Sequence, residues 1–241
     1  MNVAIIVAAG RGSRAGGARA KQFRELSGIP IIIHTLSRFE LCETIREAVV
    51  VLPGDEREQF LALAAGHGLR KVTRAVAGGE TRAESVWRGL QALDPAGAEV
   101  VAVHDGVRPF VTPAEIDRTV REAEEHGAAV LAAPAVETIK EAEGGRVVRT
   151  LERARLWHAQ TPQCFRLELL VEAYERALAE KVEATDDSAL VERLGAAVSI
   201  VEGGAHNVKI TTPQDFALAE ILLRGRQETE VGSRNKKGVG D

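Results

Sequence analysis

The stretch Val3-Ala4-Ile5-Ile6-Val7-Ala8-Ala9-Gly10-Arg11-Gly12-Ser13-Arg14-Ala15-Gly16-Gly17, followed shortly by Lys21, decides the reading of this chain. Val3 to Val7 is apolar without in/out alternation, as expected of a strand buried on both faces. The small residues after it let backbone N–H groups approach phosphate oxygens closely. Arg14 and Lys21 add two positive charges to the same loop, which suits a triphosphate. Two other phosphate loops fail on spacing. Gly10, Gly12 and Gly16 read G-x-G-x-x-x-G, one residue longer than the dinucleotide fingerprint, and Val51-Leu52-Pro53 stands where that fold places a ribose-binding carboxylate. Gly12 and Gly17 have P-loop spacing, but Ala18 occupies the lysine position. A solvent-facing glycine turn is the plain alternative.

Working outward, similar runs recur at Ala48–Leu52, Lys71–Val76, Val100–Val103, Ala128–Ala132 and Val198–Val201. Helix starts lie between them. Asp55-Glu56-Arg57-Glu58, Thr81-Arg82-Ala83-Glu84 and Thr112-Pro113-Ala114-Glu115 fit the capping box, and Thr212-Pro213 pairs an N-cap with proline at the first helical position. Strand–helix alternation predicts βαβ units in a three-layer, Rossmann-like α/β fold with a mostly parallel sheet. Residues 136–160 break the rhythm. Thr138-Ile139-Lys140 and Val147–Leu151 flank Gly144-Gly145, a hairpin signal whose polar, basic strands predict an arm protruding from the main sheet. The segment 224–241 is polar and reads as a disordered tail.

Composition narrows the function. The chain has 241 residues, enough for one sizeable α/β domain; 45% are apolar and 4% aromatic, with a formal charge of -4. Few aromatics and a negative charge argue against a nucleic-acid binder. Cys42 and Cys164 have no metal-ligand spacing and read as ordinary thiols. The start has no leader pattern, and no apolar run reaches the roughly 20 residues of a membrane span, so a cytoplasmic protein is expected.

Three further clusters carry candidate chemistry. In His104-Asp105-Gly106-Val107-Arg108, Asp105 ends a buried strand, the edge where open α/β sheets bind ligands. It could partner Mg²⁺, orient a lysine or simply cap a turn, while His104 reads as structural. Gly78-Gly79 leads into a capped helix carrying Arg82 and Ser85, whose N-terminus could receive a base or ribose. Asn207-Val208-Lys209-Ile210 puts a lysine among apolar neighbours in a short strand, which needs an anionic ligand or a salt-bridge partner.

Together these segments resemble the 2-C-methyl-D-erythritol 4-phosphate cytidylyltransferase family. The resemblance also takes in Ala133-Pro134, Thr138-Ile139-Lys140, Leu156–Gln163 and Thr185-Asp186-Asp187, in order over about residues 1–223, read as a single nucleotidyltransferase domain. It implies transfer of CMP from CTP to methylerythritol phosphate with release of pyrophosphate, in non-mevalonate isoprenoid synthesis, with Mg²⁺ or another divalent metal. It further implies that Ala8, Ala9, Gly10, Gly79, Arg82 and Ser85 hold the nucleotide. Arg14, Lys21 and Lys209 would stabilise the pentavalent phosphorus, and Asp105 would position substrate and metal. Arg108, Thr138, Arg153 and Thr161 would surround the acceptor, with Thr138 and Arg153 reaching the partner's site across a homodimer through the arm. His206 and Gly106 depart from the family pattern. A cytidylyltransferase for another polyol phosphate, such as ribitol 5-phosphate, would share everything but the acceptor pocket. A non-catalytic nucleotide-binding regulator and a dinucleotide-dependent oxidoreductase are the alternatives from other classes.

Overall fold

Strand β1 (Asn2–Val7) is followed by a 3-10 turn (Lys21–Phe23) and a small hairpin, β2 (Glu25–Leu26) with β3 (Ile29–Pro30). Helices and strands then alternate: α1 (Ile31–Leu41), β4 (Ile45–Leu52), α2 (Arg57–Gly66), β5 (Val72–Ala77), α3 (Arg82–Gln91), β6 (Val100–Asp105), α4 (Pro113–His126) and β7 (Ala128–Pro134). An outlying hairpin, β8 (Lys140–Glu143) and β9 (Arg146–Thr150), precedes β10 (Trp157–Arg166), α5 (Leu167–Glu180), α6 (Asp187–Arg193), β11 (Ser199–Glu202) and α7 (Pro213–Lys237). The structure, a computed structural model, describes residues 1–10, 21–54, 57–95, 97–182 and 184–237, and of 226–237 only the helical backbone.

Seven strands form one sheet in the order β11-β7-β10-β6-β1-β4-β5. All neighbours pair in parallel except β10, which runs antiparallel to both β6 and β7. Uninterrupted apolar runs serve both faces. Ala4, Ile6, Ala48, Val50 and Ala102 join one buried cluster with Ile32, Leu36, Phe60 and Ile116 of α1, α2 and α4. Val3, Ile5, Val49, Val51 and Val103 join a second with Val86, Leu170 and Leu190 of α3, α5 and α6. These are the three layers that the alternation predicts.

The predicted start of α4 has its full capping box, whereas that of α3 makes only the N-cap half, the Glu84 carboxylate accepting the Glu80 N–H instead. Thr81 Oγ1 accepts the Glu84 N–H, and Thr112 with Glu115 completes a reciprocal capping box. The Asp55 start lies outside the described residues. Gly144 and Gly145 take φ of 54° and 76°, the left-handed pair that a two-residue hairpin needs.

Three features differ from the sequence reading. Strand β10 was not foreseen, because Gln160-Thr161-Pro162-Gln163 is polar and a proline argues against a central strand. The ladder to β7 breaks between Ala159 and Gln163, which accommodates Pro162. The first residues of β10, read as the end of the arm, pair with β7 instead. Lys209 lies in an irregular segment, not a strand, anchored where the Ile210 N–H donates to Val107 O. The backbone of helix α7 continues through Lys237, across most of the stretch read as disordered.

The sheet order sets the site. From β1 the chain moves outward through β4 and β5, then returns to place β6 on β1's other side. The carboxyl ends of β1 and β6, with Val7 opposite Asp105, therefore flank a topological switch point. The turn after β5 closes over this point. A Cβ on Gly78 would lie 2.1 Å from the Ala9 Cβ and 2.9 Å from Ser85 Oγ. Gly78→Ala is therefore expected to lower the stability by about 1–3 kcal/mol, the cost of overpacking. Gly66→Ala, where a Cβ meets nothing within 4 Å, serves as the control. Urea unfolding reads both; an unchanged midpoint for Gly78→Ala would contradict the close approach.

Candidate active site

Asp105 is the last residue of β6 and is 7% exposed. Arg82 Nε lies 3.2 Å from its Oδ1, while Lys209 Nζ at 2.8 Å and Arg108 Nε at 3.5 Å share Oδ2. The Asp105 backbone N–H donates to Thr161 Oγ1 at 3.1 Å. Burial by itself would push this carboxyl up. The charges of Arg82 and Lys209, the Lys209 hydrogen bond and the charge of Arg108 outweigh it and hold Asp105 well below the usual carboxylate range. Asp105 is thus an anion at any physiological pH.

Each cation comes from a different element. Arg82 opens α3 behind its Thr81 cap, and its guanidinium also donates to Asp187 Oδ2 at 2.8 Å. Burial opposes the charge on Arg82, but Asp187 and then Asp105 overcome this and raise its pKa. Arg108 follows the β6 turn, with one terminal nitrogen donating to Asn207 O at 2.8 Å. Lys209 comes from the irregular segment before α7. Asn207 fixes that segment by donating Nδ2 to Thr161 O at 2.9 Å and Gln160 Oε1 at 3.1 Å.

On the β1 side, Ala8 and Ala9 are buried, and the Ala8 N–H donates to Val51 O. Buried Gln22 donates to Ala8 O at 2.6 Å, tying the Lys21–Phe23 turn to the end of β1. Lys21 heads that turn, half-buried. Ser85 Oγ accepts the Gly79 N–H at 3.1 Å and donates to Thr81 O at 2.9 Å. Ser85 therefore locks the glycine turn onto α3, and its hydroxyl is already engaged. Gly10 is exposed at the rim, and Arg14 lies outside the described residues.

The structure thus brings together Asp105, Arg82, Arg108, Lys209 and Thr161. It does not bring in Thr138 or Arg153. Both are exposed on the arm, where Arg153 donates to Val136 O at 2.9 Å. His104 is structural, as read. It is fully buried, its Nε2 is 3.2 Å from Arg108 O, its ring lies edge-on to Phe39, and burial pushes its pKa down to about 4. His206 engages Glu115, the capping carboxylate of α4, at 3.3 Å.

Sequence reasoning gave no role to Asp187, Gln163 or Asn207, all nearly fully buried. Each stands in a segment that the sequence analysis quotes, which was the one signal available for it. Among the described residues no group of three or more His, Cys, Asp or Glu side chains could hold a metal. Asp105 is the candidate single ligand. A carboxylate has about four lone-pair positions, and three cations contact Asp105, leaving Oδ1 with capacity for one more partner. A separate cavity of about 590 Å³ opens between α3 and α5, lined by Leu90, Leu93, Pro95, Ala98 and Leu167 at the opposite edge of the sheet. None of the residues above lines it.

Comparison with known proteins shows the family. The family model for 2-C-methyl-D-erythritol 4-phosphate cytidylyltransferase matches residues 2–225. A protein of that name from Pelotomaculum thermopropionicum is 45% identical over 93% of this chain and 94% of its own length. Another, from Geobacillus kaustophilus, is 46% identical over 92% of this chain and 97% of its own. The crystal structure of 4-diphosphocytidyl-2C-methyl-D-erythritol synthase from Anaerococcus prevotii superposes with a TM-score of 0.82 at 31% identity, covering 92% of this chain and 96% of that one. The chain belongs to the 2-C-methyl-D-erythritol 4-phosphate cytidylyltransferase family.

Proposed function

We propose that this enzyme transfers CMP from CTP to 2-C-methyl-D-erythritol 4-phosphate, giving 4-diphosphocytidyl-2-C-methyl-D-erythritol and pyrophosphate. The observation that carries the reading is the cluster of Arg82, Arg108 and Lys209 around Asp105, beside the Gly78-Gly79 turn at the switch point of the sheet. It is supported by family membership over nearly the whole chain. A dinucleotide-dependent oxidoreductase is not supported, and membership of a cytidylyltransferase family argues against a non-catalytic nucleotide-binding regulator. Family membership also favours methylerythritol phosphate over ribitol phosphate.

The nucleophile is a phosphate oxygen of the acceptor. A phosphate monoester is largely dianionic at neutral pH, its second pKa being near 6, so no general base is needed. The oxygen attacks the α-phosphorus, the bond to the β-phosphate oxygen breaks, and pyrophosphate leaves with that electron pair. The obstacle is repulsion between two polyanions, so positioning and electrostatics must do the work. Lys209, Lys21 and Arg14 spread the charge on the α-phosphorus, and Arg108 and Thr161 hold the acceptor phosphate. The turns at Ala8–Gly10 and Gly78–Gly79, with Arg82 and Ser85, seat the nucleotide. Asp105, through the remaining capacity of its Oδ1, would hold a divalent metal such as Mg²⁺, which would neutralise triphosphate charge.

The arm supports a homodimer. Every residue of β8 and β9 is exposed, including Val147 and Val148, and Val136 beside them is 71% exposed. An isolated two-stranded hairpin is marginal in water, so these apolar side chains call for a partner surface. We assign that surface to a second copy, with Thr138 and Arg153 completing its acceptor pocket. No helix among the described residues is long and apolar enough to cross a membrane, and we place the enzyme in the cytoplasm.

Pyrophosphate release, with each NTP crossed against methylerythritol and ribitol phosphates, tests the reaction. CTP with methylerythritol phosphate is expected to be the fastest pair, and excess EDTA to stop it. Lys209→Ala is expected to lower kcat by about 10²–10³, the cost of one transition-state donor. Equal rates with ATP, or wild-type turnover by Lys209→Ala, would refute the reading.

The arm has its own test. Lys209→Ala subunits are co-refolded with an equal amount of Arg153→Ala subunits. In a mixed dimer one site carries both lesions and the other carries neither. Random exchange makes about half the dimers mixed, so about a quarter of all sites should be intact in a two-fold dimer. Recovery toward that fraction is expected. If mixed dimers form and activity does not rise, Arg153 does not act across the dimer.

A further inference from the structure

Asp187 is fully buried at the first turn of α6, yet it carries an ionised partner. Its Oδ2 accepts from Arg82 at 2.8 Å, and its Oδ1 accepts from the Tyr174 hydroxyl on α5. Its backbone is bolted down as well. Gln163 of β10 accepts the N–H groups of Asp187 and Ser188 through Oε1, at 3.1 and 2.9 Å, and donates Nε2 to Asp186 at 2.9 Å. The second partner of Arg82 is Asp105, so one guanidinium spans two carboxylates from opposite sides of the site. Trp87 of α3 stacks on Tyr174, with centroids 6.1 Å apart and rings 15° from parallel, holding α3 and α5 in register around the same link.

A buried ion pair is weak evidence for stability, since desolvation offsets much of its attraction. Its geometric effect is more specific. Without Asp187, the Arg82 side chain would turn its whole charge toward Asp105 or an incoming triphosphate. With Asp187, Nε and one terminal nitrogen are committed, and the plane of the guanidinium is fixed. Arg82 then takes up one oxygen of Asp105 and leaves the other to Lys209 and Arg108.

We propose that Asp187, oriented by Tyr174 and Gln163, is a positioning residue for nucleotide binding, acting through Arg82. The proposal rests on the reading of Asp105, Arg82 and Lys209 as the site of cytidylyl transfer. It predicts a defect confined to one substrate. Asp187→Asn raises the KM for CTP and lowers kcat/KM for CTP by about 10–100-fold, the range for groups that orient a ligand-binding side chain. The KM for methylerythritol phosphate stays within about twofold.

The test is two-substrate kinetics on Asp187→Asn, Arg82→Ala and the double variant, with thermal melts. If Asp187 acts through Arg82, the double variant matches Arg82→Ala in kcat/KM for CTP. It also melts higher than Arg82→Ala, because that single change leaves the Asp187 charge buried and unpaired. Additive losses in kcat/KM, or an unchanged KM for CTP in Asp187→Asn, overturn the proposal. Tyr174→Phe removes only the hydroxyl and serves if Asp187→Asn does not fold. It is expected to raise the KM for CTP by about threefold, a fraction of the range above, and no change there also overturns the proposal. Wild-type turnover by Lys209→Ala would instead sink the site reading itself, whatever Asp187 does.

Discussion

One carboxylate organises this site: Asp105, nearly buried and ringed by Arg82, Arg108 and Lys209. Three cations held this close would repel one another without it. The same carboxylate would be too costly to bury without them. Each is therefore the condition for the other. With Asp187 included, the cations still outnumber the carboxylates, and the surplus faces the edge where β1 and β6 end. In the proposed reaction the phosphates would meet cations already held in place, which limits the reorganisation their arrival requires.

The rest of the architecture serves this arrangement. Parallel packing of β1 against β6 creates the crevice, and Gly78 lets the main chain after β5 approach it. Helix α3 supplies Arg82 from a capped first turn, and Ser85 ties the preceding glycines to the same helix. Strand β10 contributes Thr161 to Asp105 on one side and Gln163 to α6 on the other. The segment carrying Lys209 has no ladder to hold it. It depends on Asn207 reaching β10 and on Ile210 packing with Leu26, Val107 and Ala219.

Much of this was legible in the sequence for identifiable reasons. Strands buried on both faces have no polar alternation, so β1, β4, β6 and β7 stand out as apolar runs. Capping-box patterns at Thr81 and Thr112 mark helix starts because the N-cap oxygen and the N3 carboxylate need a fixed spacing. Gly144-Gly145 marks a hairpin because the turn requires two left-handed residues. Asp105 was visible from its place at a strand end. What escaped has equally physical causes. Strand β10 is polar through its centre because Thr161 and Gln163 are spent on partners that only the tertiary fold reveals. Asp187 stands in the Thr185-Asp186-Asp187 segment of the resemblance with no role attached, and nothing local tells that Arg82, more than a hundred positions earlier, will meet it. Arg153 on the arm donates only to Val136 O among the described hydrogen bonds, a contact that discloses no role, and for it only the family resemblance spoke.

The antiparallel position of β10 has a consequence for biosynthesis. Both sheet neighbours of β7 come later in the chain, β10 and β11, whereas β1, β4, β5 and β6 can pair among themselves once residue 105 has been made. A chain emerging from the ribosome can thus close its first four strands early and must wait for residues 157–166 before the second half has anything to join. During that interval the β6 edge stands open and Asp105 is hydrated, with neither Thr161 nor Lys209 yet synthesised. Arg82 and Arg108 are made before β10 covers the carboxylate and Lys209 only after it, so two of its three cations are already available when Asp105 is covered.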